Sequence, residues 1–142
     1  MASFYRIIDS SANRACEALR VVEDFVRFLC DDAALTEELK GMRHQLTAAM
    51  RHFSMAERLN ARDTEADVGT QIQTPSEYTR SDVTDVLAAN FSRLQESLRS
   101  LEEFSKIESP ETAAKFEQLR YQSYTLQKRI FQATTHSSEA TP

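Results

Sequence analysis

Apolar residues recur along this chain at intervals of three and four, the spacing of amphipathic helices rather than of strands. At about 100° per residue, Ala15, Ala18, Val21, Val22, Phe25 and Phe28 share one stripe, with Asn13, Arg20, Asp24 and Arg27 opposite. This predicts a first helix over 10–29, capped by Asp9 or Ser10 and ended by the polar run DDAA. A second helix is predicted over 35–53. Beyond a polar interruption at 62–80, Val83, Val86, Leu94, Leu101 and Phe104 define a third over 81–106, with Ser81 as its cap. Ser109 followed by Pro110 reads as a cap with proline at the first helical position, opening a fourth helix to about residue 133. The segment 134–142 reads as a flexible tail.

The pattern repeats. RACEALRVVEDF (14–25) and RLQESLRSLEEF (93–104) share Arg, a Glu three residues on, Leu-Arg, and a closing Glu-acidic-Phe, and MRHQ (42–45) lines up with LRYQ (119–122) at nearly the same offset. The expected fold is therefore all-α: a four-helix bundle of two pseudo-symmetric helical hairpins, about 8–55 and 81–133, joined by a central crossover loop within one domain over 1–133.

Composition narrows the class. Two glycines and three prolines in 142 residues leave little turn chemistry for a sheet protein. A net charge of −5 gives no footprint for nucleic acid or an anionic membrane, and there is neither a run of transmembrane length nor a leader before RIIDSSANRA. A cytoplasmic protein with small-molecule or protein partners is expected. Cys16 and Cys30, with three histidines, form no close metal-ligand spacing and read as reduced structural thiols. Thirteen arginines against four lysines lean toward recognition of carboxylate or phosphate.

Two of those arginines interrupt the apolar stripes. Arg14 falls within the first and Arg93, with Asn90, within the third, while Glu17 and Glu96 sit one turn beyond. A buried guanidinium must meet carboxylates, carbonyls or a bound anion, so both a salt-bridge lattice and an anion site are open. The order Arg then Glu is the less favourable one for an intrahelical pair, and the repeat predicts that both arginines reach one bundle interior. Arg43 and Arg120 flank the apolar faces of their own helices at related positions, and Tyr121 and Tyr124 offer flat rings with polar tips; snorkelling arginines and ordinary core tyrosines would look the same.

RDTEADVGT (62–70) holds one of the two glycines. Asp63, Glu65 and Asp67 alternate with small residues and could hold a hard cation such as Mg²⁺, with phosphates and water completing its shell; an ordinary crossover loop is the other reading. Gly69 would permit a positive φ or close approach of a ligand, with Thr70 beside it, and Arg62 would clamp a phosphate.

Taken together and in order, YRIIDSSANRACEALRVVEDFVRF, LKGMRHQL, RDTEADVGT, EYTRSDVTDVLAANFSRLQESLRSLEEFSK and FEQLRYQSYTLQ resemble the small helical hydroxymethylpyrimidine phosphate kinase family of thiamin biosynthesis, the domain often fused ahead of a thiamin phosphate synthase barrel. The resemblance covers the chain to about residue 133. It implies phosphoryl transfer from ATP, with Mg²⁺, to 4-amino-5-hydroxymethyl-2-methylpyrimidine phosphate. A non-catalytic binding or docking module serving a thiamin phosphate synthase is the alternative. Where the family reads Asp-Ala-Asn before its first Asn-Arg, this chain has Asp9, Ser10 and Ser11, so Asn90 in the second repeat becomes the better candidate for substrate contact. The expected catalytic groups are Arg14, Arg62 and Arg93. Asn13, Glu17, Arg43, Asn90, Glu96, Arg120, Tyr124, Gly69 and Thr70 are expected to bind substrate, and Asp63 and Asp67 the metal. No glycine-rich phosphate loop is present, so arginines and helix N-termini would take its place. A symmetric homodimer is the expected assembly.

Overall fold

The computed structural model describes residues 3–139, and among them there are five α-helices and no strand. Helix α1 spans Tyr5–Asp24 and widens into a π-helical turn at Phe25–Leu29; α2 spans Ala33–Met50, α3 Met55–Ala61, α4 Val83–Ser105 and α5 Pro110–Glu139. A single 3₁₀ turn, Pro75–Glu77, marks the crossover between the two halves. The short α3 is the element the periodicity missed. Ser54 starts it by accepting from the Glu57 amide at 3.4 Å.

Helix ends follow their chemistry, with three corrections. α1 starts about a turn earlier than expected, at an uncapped Phe4, because Ile8 is fully buried and Tyr5 packs edge-on against Phe4 and Phe53. Asp9 and Ser10 thus lie inside the helix and cap nothing. At α4 the cap is Asp82 rather than Ser81: its Oδ1 accepts from the Asp85 amide at 2.7 Å, and Asp85 Oδ2 accepts from the Ser81 amide at 3.0 Å, a reciprocal arrangement. α5 continues to Glu139, past residue 133, and 140–142 lie outside the described residues. The Ser109 cap holds, accepting from the Thr112 amide at 3.1 Å. Between α1 and α2 the Cys30 amide reaches back five residues to the Phe25 carbonyl, Asp31 turns the chain at φ 49°, and Asp32 caps α2 through the Leu35 amide.

The two equivalent helices, α1 and α4, make the most extensive interface; α5 packs on α4 and α2 on α1, while α2 and α5 touch each other less. Ile8, Leu19, Val22 and Val26 meet Phe91, Leu94, Leu98 and Leu101 in one core that extends to Leu39, Leu46, Phe116 and Ile130. Each such side chain contributes about 1.5–3 kcal/mol by leaving water.

That core is rotated from the expected stripe. The buried side of α1 is centred on Ile8, Ala12, Ala15, Leu19 and Val22 and includes Asp9 and Glu23, leaving Val21 and Phe28 exposed; on α4 it includes Glu102, leaving Val83 exposed. At 100° per residue the shift is about a quarter of a turn on α1 and about a sixth on α4, in the same sense. Charged residues on the buried side disguised its centre, because ion pairs satisfy them. Arg14 and Arg93, placed by the sequence within the stripes, are consequently solvent-exposed.

Candidate functional site

The repeat first builds two matching ion pairs. Glu23 on α1 accepts from Arg43 Nε of α2 at 3.0 Å, and Glu102 on α4 accepts from Arg120 Nη2 of α5 at 3.0 Å. Both carboxylates are 4% exposed, and each ties its hairpin together. Burial opposes the charge on Arg120, yet the Glu102 and Tyr124 contacts hold its pKa above the ordinary value. Arg43 and Arg120, expected among the substrate-binding groups, are thus engaged by protein carboxylates. Glu17 and Glu96 make no ion pair with Arg14 or Arg93.

The second construction organises the crossover. Asp9, buried within α1, accepts from Arg58 Nε at 3.2 Å and from Arg62 Nε and Nη2 at 2.7 and 2.9 Å. Hydrogen bonding from Arg62, outweighing burial, holds the Asp9 carboxyl below its usual pKa, and the same bond raises that of Arg62. Arg6 Nη2 donates to the Asp63 carbonyl at 2.8 Å. Arg62, expected as a phosphate clamp, anchors the loop to α1 through Asp9. Arg6 and Arg58 escape the sequence reading, and Asp9 reads there as a helix cap rather than an anchor, because their partners lie about fifty residues away, with no local spacing to betray them.

Anchored in this way, the loop walls a cleft of about 810 Å³ over the first half of α1. Arg6, Ser10, Arg14, Asp67, Val68 and Ser100 are among its lining. Arg14 Nη2 donates to Ser10 Oγ at 3.0 Å, and among the described residues no carboxylate lies within ion-pair distance of its guanidinium. Asp63 and Asp67 close the loop on itself: Asp63 Oδ1 accepts from the Ala66 amide at 3.0 Å, Asp67 Oδ1 from the Gly69 amide at 2.8 Å, and Thr70 Oγ1 donates to the Asp67 carbonyl at 2.9 Å. Gly69 does not adopt the positive φ that the sequence suggested; a Cβ there would instead lie 3.3 Å from Asp67 Oδ1, so the glycine serves the tight turn onto that carboxylate. Among the described residues no three His, Cys, Asp or Glu side chains gather as a metal site.

Arg14 and Arg93 do not meet in one interior. Arg93 lines a separate cleft of about 210 Å³ with Asn90, whose amide donates to the Val86 carbonyl at 2.8 Å, and with Glu77, Tyr78 and Arg80 from the end of the crossover. Glu96, Arg120 and Tyr124 come together in a third, of about 480 Å³, beside Gln95 and Arg99. Asn13 and Glu17 line none of these three. Cys16 and Cys30 are free thiols, their pKa values raised by burial.

The model of the ThiD2 family matches residues 6–129. The chain belongs to the ThiD2 family. It is similar to a thiamine-phosphate synthase of Rhodopirellula baltica, 48% identical over 119 residues that cover 84% of this chain and 32% of that protein. It is likewise similar to thiamine-phosphate synthases of Nostoc punctiforme (40% identical, 93% of this chain, 36% of the relative) and of Synechocystis sp. (43%, 88% and 35%). The ThiD2 chain thus spans about a third of the length of these curated relatives. No solved structure matches it. Among its described residues no helix is long and apolar enough to cross a membrane.

Proposed function

We propose that this ThiD2 chain acts in thiamin biosynthesis as a kinase, transferring a phosphoryl group from ATP to 4-amino-5-hydroxymethyl-2-methylpyrimidine phosphate, with the Arg14 cleft receiving the pyrimidine's phosphate. The observation that carries the reading is Arg14 itself: a guanidinium without a carboxylate partner, aimed by Ser10 into a cleft roofed by a tethered polar loop. Phosphoryl transfer asks the protein for positioning and charge neutralisation rather than a covalent nucleophile. Arg14 and Arg6 supply the charge, Ser10 and Ser100 the neutral donors, and Phe4, Ile7 and Val68 an apolar wall for a ring. The names of the relatives support the pathway, since a thiamine-phosphate synthase consumes the diphosphate that this reaction makes.

The residues fit magnesium only in one manner. Asp67 lines the cleft and Asp63 does not, so a single loop carboxylate faces the reaction space. That suits an ion arriving on the nucleotide's phosphates, which needs one or two protein carboxylates and keeps its water, rather than a resident metal centre. When bound, it would neutralise charge on the phosphates.

The second reading, a non-catalytic module docking on a thiamin phosphate synthase, draws on the chain's covering only a third of its relatives. A coupled assay of ADP release, with the pyrimidine monophosphate, ATP and Mg²⁺, separates the two. Turnover that Arg14→Ala abolishes supports the kinase. No ADP release, with binding to a thiamin phosphate synthase intact, would leave the docking module.

A further inference from the structure

We infer that the cleft lined by Tyr78, Arg80, Asn90 and Arg93 is a second phosphate-binding site, independent of the Arg14 cleft. The argument begins with the repeat. Of the arginines duplicated between the halves, Arg43 and Arg120 each hold a buried glutamate, whereas Arg14 and Arg93 have no carboxylate within ion-pair distance among the described residues. The Arg43/Arg120 pair, and the third duplicated pair Arg20/Arg99 with its acidic neighbours, are held by carboxylates in both halves, whereas Arg14, which donates only to the Ser10 hydroxyl, and Arg93 lack one in both. An exposed arginine that merely solvated the surface would need no such equivalence, nor a cleft around it in each half.

The two clefts also share their charged groups, although only the first has an apolar wall. Each brings two arginines and one carboxylate beside neutral polar residues: Arg6, Arg14 and Asp67 with Ser10 and Ser11 in the first, Arg80, Arg93 and Glu77 with Asn90 in the second. Ser11 and Asn90 occupy equivalent places, three residues before their arginines. Each cleft is closed by a different end of the same crossover. Arg80 is pre-oriented, its Nη1 donating to the carbonyls of Ser76 and Thr79, both at 2.9 Å, and Glu77 is occupied by Thr74 Oγ1 at 3.2 Å. With its volume near 210 Å³ the second cleft is below the ~300–1,000 Å³ of a pocket that encloses a whole small molecule, so it suits a phosphate group and not a complete nucleotide. Two planar guanidinium forks are the chemistry that recognises such a group. Tyr78, 67% exposed at the rim, offers a ring to whatever carries the phosphate.

The test uses inorganic phosphate as probe on the ¹⁵N-labelled chain, following the arginine Nε–Hε and asparagine side-chain signals. In Arg14→Ala the Arg93 and Asn90 signals should still move saturably, and in Arg93→Ala the Arg14 signal should. Absence of saturable movement at Arg93 in Arg14→Ala would overturn the second site. A mute Arg14 beside a responsive Arg93 in the unmodified chain would instead sink the substrate-cleft reading and leave this one standing. Adenosine monophosphate and the pyrimidine monophosphate, added separately to Arg14→Ala, distinguish the sources: the one that moves Arg93 and Asn90 carries the phosphate bound there.

Discussion

Arg43 and Arg14 both belong to the first helical hairpin, and only one of them has a carboxylate. The difference fixes what removing each should do. Arg14→Ala should lower turnover on the order of 100-fold in the ADP-release assay while leaving thermal stability nearly unchanged, since a preorganised charge donor is lost and no buried partner is stranded. Arg27→Ala, on the polar face where its guanidinium lies 4.9 Å over the Phe28 ring, should leave turnover close to that of the unmodified chain. Asp9 yields a prediction in pH. Its carboxyl is held below the ordinary value of 3.8 chiefly by Arg62, so the pairing stabilises the fold fully above that pH and is lost as pH falls through the lowered value. Asp9→Asn should therefore be less stable than the unmodified chain at neutral pH, and the gap in melting temperature should close in strongly acidic solution. A gap that persists unchanged there would mean that charge on Asp9 does not hold the loop.

The crossover is the element whose shape depends most on long-range contacts, and there sequence and structure diverge most. Its glycine, acids and threonines were legible as a loop, and their local turns, with Asp63 and Asp67 each closing on a nearby amide, follow from their chemistry. The tethers were not: Arg62 to Asp9 and Arg6 to Asp63 span more than fifty residues, and nothing in local spacing encodes them. The four long helices were legible because periodicity is local, whereas helix rotation was misread because buried Asp9, Glu23 and Glu102 count as polar until their partners are known. If the tethers position the loop, Arg6→Ala should speed proteolytic cleavage within 62–80 several-fold without altering the helical circular dichroism. Substrate, ATP and Mg²⁺ should slow cleavage in the unmodified chain. Equal cleavage rates in all these conditions would reduce the loop to a passive connection. Gly69→Ala should act mildly, since the atom a Cβ would crowd is the end of the movable Asp67 side chain.

At the scale of the molecule, the twofold repeat means that one solution to the problem of joining helices is used twice. Glu23 with Arg43 and Glu102 with Arg120 lock equivalent hairpins, and α1 against α4 joins the hairpins through apolar contact. Breaking a buried pair from one side costs about 3–5 kcal/mol when the stranded charge is fully enclosed, and less when it can reach water. Each carboxylate has a second cation nearby, Arg20 at 3.4 Å from Glu23 and Lys106 at 3.7 Å from Glu102, but Arg43 is 26% exposed and Arg120 12%, so Glu102→Gln strands its arginine in a drier place. Urea unfolding should give losses of about 2–3 kcal/mol for Glu23→Gln and for Glu102→Gln, with Glu102→Gln the larger. Because the two pairs share no residue, the double variant should lose the sum of the single losses within about 0.5 kcal/mol. A large loss in one half and none in the other would mean that the halves are alike in sequence but not in what holds them together. A double variant no worse than the more damaging single one would mean that both pairs belong to one cooperative network running through the α1–α4 interface.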